Sequence, residues 1–136
     1  MPSQLTRIDD TEFIPEWDRE HGAGSWAAVH GRVARLVYEL LAGGVAAHPE
    51  MASGRARTLY GVDVMVNSEH QPVLLECTYA PDCTRVCSVN PRFYDQAFGC
   101  LFFGECEGFS PLGPSGLIRP AAGTAAPTAE PYDGLD

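Results

Sequence analysis

Apolar residues recur along this chain with two periods, and the change from one to the other divides it. From Trp26 onward, Val29, Val33, Leu36, Val37, Leu40 and Leu41 follow at steps of three and four, the spacing of one face of an α-helix. The pattern predicts an amphipathic helix over Ser25 to Ala42, capped by Ser25 and fraying at Gly43-Gly44. Before it, Asp9 to His21 sets Phe13 and Trp17 four apart among acids, which suits a short helix in spite of Pro15. From Leu59 the period falls to two, and LYGVDVMVNSEHQPVLLECTY reads as two strands joined by a polar turn at Asn67 to Gln71. Beyond them Asn90 can cap a helix that opens on Pro91, with Phe93, Ala97, Phe98, Leu101 and Phe102 as its apolar stripe. The order helix, strand, strand, helix predicts an α+β fold, an antiparallel β-hairpin packed against two amphipathic helices.

Register matters most in the hairpin. With Val66 facing Val73, one face pairs Val64 with Leu75 and Val62 with Cys77. The other face then pairs Met65 with Leu74, Asp63 with Glu76 and Gly61 with Thr78. Directly opposed Cβ atoms lie about 5 Å apart, so two carboxylates meet and need a basic partner or a cation. Magnesium held by one or two carboxylates, with water and nucleotide phosphates completing its shell, is one answer. On that reading Asp63 and Glu76 are metal ligands, Thr78 adds a weak one, and Met65 and Leu74 form an apolar shelf for a flat base. The other answer is that Asp63 pairs with Arg57 or Arg85 and the shelf is ordinary core.

Composition narrows the field. The chain has 136 residues, 45% hydrophobic and 20% charged, enough for one domain and not for two. A net charge of −9 offers no basic surface for a run of phosphates and argues against nucleic acid. All nine basic residues are arginine, which removes Schiff-base chemistry and a phosphate-loop lysine. Arg55, Arg57, Arg85 and Arg92, flanking the hairpin, could face phosphates or an acidic peptide, the alternative being that they are solvated or pair with local acids. Trp26 to Ala47 carries Arg32, Arg35 and Glu39, so it does not read as a bilayer span. The first residues lack the features of an export signal. Five cysteines without such a signal point to reduced thiols and a cytoplasmic setting. A zinc site from Cys77, Cys83 and Cys87 with His70 or Cys106 has poor spacing. From Gly108 the chain holds five of its eleven prolines and reads as a disordered tail. The expected division is 1–24, an N-terminal segment with a short helix; 25–107, the folded unit; and 108–136, the tail.

The stretch RARTLYGVDVMVNSEHQPVLLECTYAPDCTRVC, followed by NPRFYDQAFGCLFF, resembles the end of the ATP-grasp ligase domain in the tubulin tyrosine ligase family. The resemblance runs from about Thr11 to Glu105 and is strongest from Tyr60 to Phe103. It implies that 25–107 is the C-terminal part of such a domain. It also implies that the aspartate of the Gly-Val-Asp strand and the glutamate of the next strand, here Asp63 and Glu76, hold magnesium against ATP. The family's asparagine two residues on is replaced by Thr78. Such ligases join a carboxylate to an amine through an acyl phosphate, with tubulin or another protein as acceptor. Their nucleotide-gripping lysines lie earlier in the domain, so the resemblance implies that these residues alone do not catalyse ligation. The alternative it leaves open is a non-catalytic scaffold that binds tubulin or another protein.

Overall fold

The computed structural model describes residues 8–52, 57–113 and 116–117. Arg55 and the part of the expected tail from residue 118 lie outside the described residues. Helix α1 (Asp10–His21) leads into α2 (Ser25–Ala47), and a 3-10 turn follows at Pro49–Ala52. The hairpin comprises β1 (Tyr60–Val66) and β2 (Pro72–Tyr79). Then come α3 (Thr84–Val89), α4 (Phe93–Phe98), a π-turn at Gly99–Phe103, and the short strands β3 (Leu112–Gly113) and β4 (Gly116–Leu117). Helices and an antiparallel hairpin make the fold α+β, as the two periods predict.

Helix α2 is the spine against which α1, β2, β3 and β4 all pack. Its face contributes the fully buried Val29 and the buried Ala34. It runs five residues past the expected end at Ala42, through Gly43 and Gly44. Glycine's propensity cost is small beside tertiary cover. Met51 lies against Gly44, where an added Cβ would come within 3.3 Å of Met51 Cε, and β3 and β4 pack on the same helix. Beyond residue 107, Leu112↔Leu117 and Gly113↔Gly116 form a short antiparallel ladder.

Helix α2 is not capped by Ser25. The carboxylate of Asp18, reaching across from α1, accepts the amides of Gly24 (2.9 Å) and Trp26 (2.8 Å) and the Ser25 hydroxyl (3.2 Å). Those amides, Trp26 first, hold the Asp18 carboxyl below the usual carboxylate range. This places α1 beside α2, where the rings of Phe13 and Trp26 meet edge to face at 4.8 Å. Trp17 and His21 of α1 touch His70 in the hairpin turn at 5.0 and 4.6 Å. Arg32 of α2 donates Nε to the His70 carbonyl at 3.1 Å. The hairpin turn is thus held between both helices.

The C-terminal helical run differs from the single helix expected from Pro91. A separate helix α3 precedes it, and α4 starts only at Phe93. Asn90 still organises the start: its Oδ1 accepts the Arg92 amide (3.1 Å), its carbonyl accepts the Phe93 amide (3.0 Å), and its Nδ2 donates to Gln96 (2.7 Å). The π-turn shifts the aromatic stripe, leaving Phe98 51% and Phe103 71% exposed. Cys100 and Cys106 are joined as a disulfide across this turn, while Cys77, Cys83 and Cys87 are free. The expectation of five reduced thiols is corrected at that pair.

Candidate functional site

The hairpin pairs Tyr60↔Tyr79, Gly61↔Thr78, Val62↔Cys77 and Asp63↔Glu76 in the expected register. Beyond Asp63 it shifts by one, to Val64↔Leu74, Met65↔Val73 and Val66↔Pro72. Leu75 is the extra residue of a β-bulge, 61% exposed and without a partner across the ladder. The turn explains the shift. Asn67 Oδ1 accepts the amides of Glu69 (3.0 Å) and Gln71 (2.9 Å), and the Asn67 amide donates to the Gln71 carbonyl at 3.0 Å. These bonds close the loop on Val66 and Pro72, one step away from the register that opposes Asp63 and Glu76. One inserted residue reconciles the two demands.

The consequence for the candidate site is uneven. Asp63, Glu76 and Thr78 share one face as expected, because the bulge lies on the turn side of them. The shelf of Met65 with Leu74 is corrected: Met65 faces Val73, while Leu74 pairs with Val64. Met65 is 50% exposed, so the apolar extension of that face is Met65 with Val73. Alternation along β1 agrees, with Asp63 and Met65 exposed and Val62, Val64 and Val66 half-buried.

Both carboxylates stand in the open, and neither has an ion pair among the described residues. Arg85 reaches Asp9 at 3.5 Å instead, and Arg57 Nε donates to the Leu101 carbonyl at 3.2 Å. The Thr78 hydroxyl donates to Glu76 Oε1 at 2.5 Å. On the end of the ladder away from the turn, Pro81 lies over Gly61, so close that an added Cβ would meet Pro81 Cβ at 2.8 Å. Asp82 then accepts the amide and hydroxyl of Thr84 at 2.9 and 2.5 Å. The hydroxyl first, then the amide, keeps its carboxyl below the usual range. Asp82 thus closes an Asx turn on Thr84, the first residue of α3.

No group of three or more His, Cys, Asp and Glu side chains is placed to hold a metal among the described residues. The zinc arrangement is accordingly not assembled there, and two carboxylates with a hydroxyl are what the hairpin offers. Sequence reading missed a cleft of about 380 Å³ between the base of the hairpin and α4, walled by Leu59, Tyr79, Pro81, Tyr94, Phe98 and Phe102. Its walls are scattered in sequence, so no local pattern announces it.

The model of the tubulin-tyrosine ligase family matches residues 23–106. The chain belongs to the tubulin-tyrosine ligase family. Tubulin-tyrosine ligase-like protein 12 from Mus musculus is 28% identical over 114 residues, and that from Homo sapiens 29% over 115, each covering 76% of this chain. The Caenorhabditis elegans protein of that name is 39% identical over 57 residues, 39% of this chain. The chain spans 18% of the length of the mouse and human relatives. No solved structure matches. The family match takes in α2, the hairpin, α3, α4 and the π-turn. No helix among the described residues is long and apolar enough to cross a membrane.

Proposed function

We propose that this chain is the C-terminal part of an ATP-grasp ligase domain of the tubulin-tyrosine ligase family, in which Asp63 and Glu76 hold magnesium against ATP. The observation that carries the reading is the direct opposition of these two exposed carboxylates, without an ion pair among the described residues, inside the family-matched segment. The donors are all oxygens, the ligand type that magnesium takes, and one or two carboxylates are its usual share from protein. Bound there, magnesium would supply charge neutralisation for phosphoryl transfer. The chain's own contribution is to fix two carboxylates across a ladder, with Thr78 beside them and Met65 and Val73 as an apolar margin. Leu74, facing away with Val64, is left out of the base-binding shelf.

The parent reaction is amino-acid addition to tubulin or another protein in the cytoplasm, joining a carboxylate to an amine. These 136 residues alone do not perform it, because they contain no lysine to grip the nucleotide. The test is Glu76→Gln in a chain carrying the complete family domain. Loss of magnesium-dependent ATP binding is expected, and unchanged affinity would overturn the metal role. A second reading, a non-catalytic scaffold binding tubulin or another partner, draws on Thr78 standing where the family resemblance implies asparagine.

A further inference from the structure

Thr78 lies two residues from Glu76 on the same strand face, and its hydroxyl proton is committed to Glu76 Oε1 at 2.5 Å. Among the described residues that is the one hydrogen bond the Glu76 carboxylate receives, and Oε2 has no partner. Glutamate has three side-chain torsions and this one is exposed, so without the bond its carboxylate would sample several rotamers. Asp63 has a shorter side chain and no such bond. Thr78 sits opposite Gly61 on the ladder, and Pro81 lies over Gly61.

We propose that Thr78 is a positioning residue: its hydroxyl holds Glu76 in one rotamer facing Asp63, with Oε2 left free for the cation. The inference rests on the proposed magnesium role of Glu76 and assigns Thr78 to a different task from that of a direct ligand. Groups that hydrogen-bond metal ligands commonly change metal affinity when removed, by about 10- to 100-fold. An exposed site falls at the lower end of that range.

The test compares Thr78→Val, which keeps the shape and deletes the hydroxyl, with Thr78→Ser, which keeps the hydroxyl. In the metal-free chain, NMR Hα–Hβ couplings of Glu76 should report one rotamer in wild type and Thr78→Ser, and rotamer averaging in Thr78→Val. Averaged couplings in the wild type, or couplings unmoved by Thr78→Val, would overturn the positioning role whatever the metal does. Mn2+ is then titrated as a probe, read as broadening of the amides of residues 62–64 and 75–78. Thr78→Val should weaken binding by about tenfold and Thr78→Ser should restore it. A purely structural role predicts the reverse order, because valine suits a strand better than serine does. Equal broadening in wild type and Thr78→Val would remove Thr78 and leave the ion site standing. No localised broadening in the wild type would remove the ion site from this chain and the proposal with it.

Discussion

Gly61→Ala places a methyl group where the chain has no room for one. The new Cβ would lie 2.8 Å from Pro81 Cβ and 3.4 Å from Pro81 Cγ, against an optimum of about 3.5–4.0 Å for carbon pairs. The nearer contact is short by about 0.7 Å. Neither side can yield easily. Gly61 is laddered to Thr78, and Pro81 follows Ala80, whose amide donates to the Leu59 carbonyl at 3.1 Å. Overpacking of this kind costs about 1–3 kcal/mol. Alanine also restricts the unfolded chain relative to glycine, which offsets about 0.4–1 kcal/mol. The net expectation is destabilisation by about 1–2 kcal/mol, read in urea as a lower midpoint with unchanged slope. For a domain of this size each 1 kcal/mol lowers Tm by about 4–8 °C. Pro81→Gly in the same chain removes the obstructing ring, so the two substitutions should couple by at least about 0.5 kcal/mol. Gly61→Ala as stable as wild type, or strict additivity with Pro81→Gly, would refute the close approach.

Two further outcomes rest on the cap of α2 and on the cysteines. Asp18→Ala should lower Tm at pH 7, because the carboxylate that caps α2 is lost. The Asp18 pKa is depressed on folding by the amides of Trp26 and Gly24, so its stabilisation is present above the unfolded value of about 3.9 and disappears as pH falls through the folded value. The Tm gap between variant and wild type should therefore close below about pH 3.9, and a gap independent of pH would remove Asp18 as the cap. A thiol count in denaturant should find Cys77, Cys83 and Cys87 before reduction and all five cysteines after it. In the folded chain the exposed Cys77 should react far faster than Cys83, which is 4% exposed. Five thiols without reductant would refute the Cys100–Cys106 bridge.

Asp63 opposite Glu76 was legible in the sequence because alternation of apolar and charged residues fixes which side chains can share a face, and a one-residue slip would put valines beside carboxylates. Gly61 opposite Thr78 followed from the same count. Met65 with Leu74 did not survive, because alternation is blind to the turn. The loop that Asn67 closes dictates its own end pair, and the conflict was absorbed at Leu75. The Thr78 bond to Glu76 needed side-chain rotamers, although the two-residue spacing on one strand is the signal that puts them within reach.

Spacing alone made helices α1 and α2, both strands, the polar turn and the meeting of Asp63 with Glu76 legible. Period and turn chemistry are local properties, and a chain of this composition expresses them wherever its apolar face finds cover. Packing between elements set the rest. Cover from Met51, β3 and β4 carried α2 through two glycines, Asp18 displaced Ser25 as its cap, and a bulge settled the register. Each of these sets a local preference worth about 1 kcal/mol or less against a contact made outside the element, whether eight residues away, as for Asp18 and Trp26, or across the fold, as for β3 and β4 on α2. The hydrophobic period does not register such contacts, because they depend on how the elements pack.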